Sequence, residues 1–185
     1  PNHLITLLHR TIGYASRTAI AIANGQVKGV LGEEAIEKIS RSAAAVASIV
    51  AEGRTVYGVN TGFGILANTP ISEEDTKTLQ YKILQSHSVG VGDPIAPEIA
   101  KLMLITKVHA LAQGFSGVQL STLERLCWHI DNDIIPIVPE KGSVGASGDL
   151  APLSHLCLPL IGLGEVYEKG IRKPAGEVLA AYGMQ

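Results

Sequence analysis

Apolar residues separated by three and four positions run through most of the chain and predict a succession of amphipathic helices. The clearest run extends from Glu33 to Ala51, and its apolar members are Ile36, Ile39, Ala43, Val46 and Val50. Glu33 and Glu34 open this run, where the helix dipole favours acidic side chains. We therefore predict one long structural helix over residues 33–51.

Start and stop signals delimit the other helices. Ser72 and Asp75 have the spacing of an N-cap and its box acid, and Pro97 suits a first helical position. Asn24-Gly25 and Gln113-Gly114 are turn signals that end helices. The predicted helical spans are within residues 1–25, from Ser72 to His87, from Pro97 to Ala112, from Gly117 to Asn132, from Asp149 to a kink or end at Pro159, and a short helix after Pro174.

Two segments break the helical pattern. The prolines between Ile134 and Pro139 exclude a helix and predict an extended chain. Residues Glu165 to Lys173 are typical of a small hairpin that turns at Lys169-Gly170. The fold class predicted is mainly α, multihelical, with minor short β hairpins, in one domain over residues 1–185.

Composition narrows the possible functions. Apolar residues make up 46% of the 185 residues and aromatic residues only 4%, which indicates an aliphatic, alanine-rich helical core. The formal charge of −2 carries no basic block, so we expect no nucleic-acid partner. Cys127 and Cys157 have neither a metal-site nor a redox spacing. Without a membrane-length apolar run or a signal-peptide layout, we expect a cytoplasmic protein with no membrane partner.

One glycine-rich stretch, Gly142-Ser143-Val144-Gly145-Ala146-Ser147-Gly148-Asp149, stands before the helix expected at Asp149 and Pro152. A tight loop with Asp149 as the helix N-cap is the simplest interpretation. A nucleophile elbow requires a second glycine where Asp149 stands, and the spacing of a phosphate-binding loop is missing. These two chemistries are therefore excluded here.

The backbone of Ala146-Ser147-Gly148 permits a different chemistry. The amide nitrogen of Gly148 can attack the carbonyl carbon of Ala146 and close a five-membered ring. Loss of water, including the Ser147 hydroxyl, leaves an exocyclic methylene conjugated to the ring. Small residues on both sides allow the two backbone groups to meet.

This stretch closely resembles the signature of the histidine and aromatic amino-acid ammonia-lyases, which form a methylidene-imidazolone (MIO) electrophile from Ala-Ser-Gly. The resemblance implies the L-aspartase-like fold, catalytic roles for Ala146, Ser147, Gly148 and Asp149, and no metal. It covers nearly the whole chain, while family members are far longer. It therefore implies an N-terminal MIO-bearing domain, without the helical bundle that holds the family's homotetramer.

A second block, Val56-Tyr57-Gly58-Val59-Asn60-Thr61-Gly62-Phe63-Gly64, predicts an irregular, mobile loop. By composition alone Tyr57 is more often a half-buried anchor than a catalyst. The block resembles the family's tyrosine loop, which implies that Tyr57 removes the β-proton of the substrate. The resemblance also implies Gly64 as a substrate-binding position.

A third block joins Ser86-His87 to Gly90-Val91-Gly92. A lone histidine on an apolar helix face is usually a core residue. The block nevertheless resembles the segment that selects the substrate side chain in this family, where Ser-His is the pairing of the histidine-specific enzymes. The resemblance thus implies that Ser86 and His87 bind the imidazole of L-histidine.

Together these blocks predict a histidine ammonia-lyase that converts L-histidine to urocanate and ammonia. The absence of counterparts for the family's downstream site residues predicts that the 185-residue chain alone is inactive. One alternative is a tyrosine or phenylalanine ammonia-lyase, or an aminomutase, with the same electrophile. The other is a non-catalytic helical module in which the glycine-rich stretch is only structural.

Overall fold

A computed structural model describes residues 3–6, 12–61, 71–144 and 150–184 of the chain. The helices are α1 (Ile12–Ala23), α2 (Glu33–Ala51), α3 (Glu73–His87), α4 (Pro97–Leu111), α5 (Leu120–Asp131), α6 (Leu150–Cys157) and α7 (Ala175–Ala181). The strands are β1 (His3–Thr6), β2 (Val27–Val30), β3 (Val91–Pro94), β4 (Ile134–Pro136), β5 (Pro139–Lys141), β6 (Glu165–Glu168) and β7 (Ile171–Pro174). The mainly helical fold class is confirmed.

Local start and stop signals act as predicted in the best-defined helices. The α2 helix has the predicted bounds. Before α3, the Ser72 hydroxyl accepts a hydrogen bond from the Asp75 amide at 3.1 Å and donates one to its carboxylate at 2.6 Å. Pro97 occupies the first turn of α4. These ends depend on bonds between near neighbours in sequence, which explains why the sequence predicts them.

The C-terminal elements also follow the predictions. The α6 helix ends at Cys157 and tightens into a 3-10 turn over Leu158–Ile161, which contains Pro159. The β6–β7 hairpin turns at Lys169 and Gly170, both with positive φ. Helix α7 begins after Pro174. The α5 helix begins at Leu120 rather than Gly117, because Gly117 has a φ of 67° and donates its amide to the Ser42 hydroxyl at 2.9 Å.

The N-terminal prediction is wrong for residues 3–6. Instead of continuing a helix, they form strand β1, which pairs in parallel with β2 in the register His3 to Val27. Two of the four residues, Ile5 and Thr6, are β-branched and suit a strand. The backbone hydrogen bonds offered by β2, more than twenty residues later in the chain, decide the outcome.

Two further small sheets join distant parts of the chain. Strand β3 pairs antiparallel with β5, so that Val91 opposes Lys141. Strand β6 lies between β4 and β7. The extended segment predicted over residues 134–139 is confirmed, and its two strands belong to different sheets. The β3–β5 pair brings the chain after α3 beside the chain that leads to the glycine-rich stretch.

Among the described residues, the core consists of three aliphatic clusters. The central one packs α1, α4, α5 and β4 around Leu104, Val108, Leu126 and Ile135. A second joins α2 to α5 through Ile39 and Leu123, and a third lies between β4, β6 and α7. None of the described helices combines the length and the apolar character needed to cross a bilayer.

Candidate active site

Two elements border the glycine-rich stretch. Strand β5 precedes it and helix α6 follows it, and the structure describes Gly142, Ser143 and Val144 on one side and Leu150 on the other. Residues Ala146, Ser147, Gly148 and Asp149 lie outside the described residues, as does Gly64 of the tyrosine loop.

A tight junction joins both borders of the stretch to the segment after α3. We call it the Gly90 junction, formed by Gly90, Gly142, Ala151 and His155. A Cβ atom built on Gly142 would lie 3.0 Å from the Gly90 Cα and 3.1 Å from the Ala151 Cβ. Larger residues at these positions would separate the backbones. The glycines thus hold the two ends of residues 145–149 against one point of the chain.

His155 supplies the polar bond of the junction. The Gly90 amide donates to its Nε2 atom at 3.0 Å. His155 stands one helical turn after Ala151, so both side chains lie on the same face of α6. Burial lowers the pKa of His155 below its ordinary value. An imidazole that accepts at Nε2 is neutral and carries its proton on Nδ1.

Ser86 and His87 end α3 next to this junction. His87 Nδ1 lies 3.0 Å from the Ile83 carbonyl and 3.1 Å from the Ser86 hydroxyl, which itself donates to Ile83 at 3.2 Å. Because a carbonyl only accepts, His87 carries a proton on Nδ1 and donates it to the Ile83 carbonyl. Nε2 is then the ring atom left to accept a bond from another group.

The chain between His87 and Gly90 is short and firmly bonded. The Val89 amide donates to the His87 carbonyl at 2.9 Å, and the Ser88 hydroxyl donates to the Leu84 carbonyl at 2.6 Å. Helix α3 also packs against α6. The structure therefore brings Gly90, three residues after His87, against both borders of residues 145–149.

Tyr57 lies on a separate turn over residues 57–60. The buried Asn60 side chain shapes this turn, since its oxygen accepts from the Val56 amide at 2.8 Å and its nitrogen donates to the Arg54 carbonyl at 2.7 Å. The Tyr57 side chain is 62% exposed. The Asn60 carbonyl accepts from the Ile71 amide at 3.1 Å, which closes the ends of residues 61–70. Tyr57 is thus a surface group on an anchored turn and not a core anchor.

Other chemically interesting side chains serve the core. His129 is 1% exposed, and its Nδ1 donates to the Ile134 carbonyl at 2.9 Å, so it serves packing. Cys127 and Cys157 are free thiols, and burial raises the pKa of Cys127 to about 11. Within the described ranges, no group of three or more histidine, cysteine or acidic side chains is arranged to hold a metal ion.

Comparison with known proteins identifies the family. The sequence model of the family described as aromatic amino acid lyase matches residues 15–185. The chain belongs to the aromatic amino acid lyase family. The glycine-rich stretch, the Tyr57 turn and the Ser86–His87 pair all fall within the matched residues.

The chain is similar to several individual members of the aromatic amino acid lyase family. It is 46% identical to the histidine ammonia-lyase of Shewanella sediminis over 164 residues, which cover 89% of this chain and 32% of that protein. The solved histidine ammonia-lyase from Trypanosoma cruzi matches with a TM-score of 0.86 and 31% identity, over 100% of this chain and 35% of that one. The tyrosine aminomutase from Streptomyces globisporus matches with a TM-score of 0.86 and 29% identity, over 100% and 34%.

The chain spans about a third of the length of these relatives. The similarity to solved aromatic amino acid lyases and aminomutases confirms the predicted fold. One part of the site was not predicted from the sequence, namely the Gly90 junction with His155. His155 follows Gly90 by 65 positions, and no local spacing marks the pair.

Proposed function

We propose that this chain is the electrophile-bearing part of a histidine ammonia-lyase. In the proposed reaction, the Cα–N and Cβ–H bonds of L-histidine break and a Cα=Cβ double bond forms. The products are urocanate and ammonia, which leaves with the proton as ammonium at neutral pH. Histidine ammonia-lyases are the relatives at 46–48% identity, and this similarity favours them over other family members.

The observation that best supports the proposal is the Gly90 junction. It holds the segment that follows His87 against both borders of residues 145–149. A substrate whose reacting carbons lie near residues 145–149 would then have its side chain within reach of the end of α3. Holding two groups in fixed relation in this way is a large part of what an active site contributes.

The residues present suit the MIO group. Ala146, Ser147 and Gly148 provide the carbonyl, the hydroxyl and the amide nitrogen from which the ring is made, with the loss of two water molecules. The close approach of Gly142 and Ala151 holds together the two described borders of this stretch. When formed, the MIO ring supplies an electrophile that side chains of the twenty amino acids lack. Asp149 is proposed to assist ring closure.

Two sets of side chains act on the substrate in this proposal. Tyr57, exposed on its turn, accepts the β-proton. His87, with Nδ1 bonded within α3, offers Nε2 to the N–H of the substrate imidazole, and Ser86 keeps the ring in that orientation. Gly64 is proposed to leave room for the substrate beside the tyrosine loop.

The proposal is tested by the rate at which urocanate absorbance grows when the complete protein is mixed with L-histidine. Parallel assays with L-tyrosine and L-phenylalanine follow coumarate and cinnamate. We expect His87→Leu to lower kcat/KM for L-histidine by about tenfold to a hundredfold, because the imidazole loses its polar partner. The preference should shift towards the aromatic acids.

His109→Leu is the matched control, because His109 is a half-buried histidine of α4 outside the proposed site. It should keep the wild-type preference. An unchanged preference in His87→Leu would show that His87 is a core residue. No growth of urocanate with the wild-type protein would refute the proposed function itself.

The second candidate is an aminomutase, supported by the similarity to the tyrosine aminomutase structure. An aminomutase would return the amino group to the β-carbon instead of releasing it. Chromatographic detection of a β-amino acid, with little free ammonia, would favour this candidate. Release of ammonia in equal amount to urocanate would exclude it.

We also propose that the chain is one domain of a longer polypeptide that forms a cytoplasmic homotetramer. The relatives are about three times as long as this chain, which supports the first part. Light scattering on the complete protein measures the assembly. A monomer with full activity would contradict the tetramer.

A further inference from the structure

His155 bonds the backbone at Gly90 and has no role in the reaction proposed above. Its Nε2 accepts the Gly90 amide at 3.0 Å, across 65 positions of sequence. A Cβ built on Gly90 would lie 3.1 Å from that same nitrogen and 3.1 Å from the Lys141 carbonyl. A side chain at position 90 would therefore crowd both the imidazole and the end of β5.

The bond is well placed to control His87. Between His87 and Gly90 the chain makes one tight turn, closed by the bond from the Val89 amide to the His87 carbonyl. Ser88 is held by its own bond to Leu84. Bonded residues therefore join the Gly90 backbone to the end of α3.

The bond between the Gly90 amide and His155 also links the end of α3 to the border of the glycine-rich stretch. His155 is carried by α6, whose first described residue, Leu150, follows residues 145–149 directly. Ala151, one turn earlier on the same face, contacts the Gly142 position on the other border. The imidazole thus connects the end of α3 to the element that follows the proposed electrophile.

We infer that His155 is a positioning residue, whose Nε2 bond to the Gly90 amide sets the place of His87 relative to helix α6. This inference rests on the proposed function. His155 does not touch the substrate in this assignment. It acts through Gly90, and its loss should matter only as far as His87 binds the substrate.

The first arm of the test measures the bond itself. Hydrogen–deuterium exchange over residues 88–92 of the complete protein reports the Gly90 amide. His155→Leu should speed exchange of one amide by about tenfold, since it removes the acceptor. His155→Gln, which keeps an acceptor oxygen near the Nε2 position, should stay within about twofold of wild type. If His155→Leu does not fold, His155→Asn, whose shorter amide does not reach Gly90, takes its place.

The second arm measures the coupling to His87 through a double-mutant cycle. In the wild-type background, His155→Leu should lower kcat/KM for L-histidine by about tenfold, and His155→Gln should restore most of it. In the His87→Leu background, the same His155→Leu change should lower the residual kcat/KM by less than about twofold. Val178→Ala, in the cluster between β6 and α7, controls for a general loss of stability.

The outcomes separate cleanly. Unchanged exchange at Gly90 in His155→Leu would overturn the inference, and so would a full tenfold loss in the His87→Leu background. Both leave the proposed function intact if the wild-type protein forms urocanate. No urocanate from the wild-type protein would overturn the proposed function and this role of His155 together.

Discussion

Protonation of His129 should make the fold sensitive to acid. The imidazole is buried, its Nδ1 bonds the Ile134 carbonyl, and its Nε2 has no hydrogen-bond partner within the described part of the chain. A second proton would therefore become a buried, unpaired donor. Burial is the main cause that lowers the pKa of His129 to about 4, and the charge of Arg125 lowers it further, against the opposing effect of the Ile134 bond.

The pKa difference of His129 between the folded and unfolded states sets how the free energy of unfolding changes with pH. A histidine whose pKa is lower in the folded state stabilises the fold above its unfolded pKa of 6.5, and this stability is lost as the pH falls towards 4. The whole difference is worth about 3 kcal/mol. At pH 5, about 2 kcal/mol of the free energy of unfolding should already be lost through this one group.

Urea unfolding of the 185-residue chain between pH 8 and pH 5 measures the effect. His129→Asn keeps an N–H donor for the Ile134 carbonyl and does not titrate, so its free energy of unfolding should fall less steeply with acid than that of the wild type. Val178→Ala, which removes no titratable group, should keep the wild-type slope. Parallel curves for the wild type and His129→Asn would refute the reasoning, because His129 would then titrate alike in both states.

Three further predictions concern the glycine-rich stretch, the backbone and the extent of the chain. Ser147→Ala in the complete protein should abolish urocanate formation, because alanine has no hydroxyl to lose, and intact mass should show that two water molecules remain; near-wild-type turnover would contradict the MIO chemistry. Gly114→Ala should lower the free energy of unfolding, measured in urea, by more than about 2 kcal/mol. Its Cβ would lie 2.6 Å from the Lys38 Cβ, and Gly114 has a positive φ. Gly25 has a positive φ with open space around it, so Gly25→Ala should lower the free energy of unfolding by only about 1 kcal/mol. Equal losses in Gly25→Ala and Gly114→Ala would show that the protein relaxes the contact with Lys38. The 185-residue chain alone should form no urocanate in the absorbance assay, because the resemblance places the groups that bind the substrate carboxylate outside it; measurable turnover would show that those groups are dispensable.

The sequence by itself determined the helices whose ends are made by near neighbours. The Ser72 cap, Pro97 at the start of α4 and the positive-φ turn at Lys169-Gly170 each depend on residues within a few positions of one another. Apolar periodicity identified the buried faces only in part: of the five apolar members predicted for α2, Ile39 is buried and the others are half-buried. The candidate chemistry was also local, since a ring made from three consecutive residues is written in consecutive letters.

Tertiary structure alone decided strands β1 and β3 and the junction at the site. Four-residue segments such as β1 and β3 become strands only because β2 and β5 offer backbone partners, and nothing in the four residues specifies that partner. The contact of Gly90 with Gly142 and His155 joins positions more than fifty residues apart. This contact forms where α3 packs against α6. Sequence spacing alone cannot predict which glycine a distant histidine will contact.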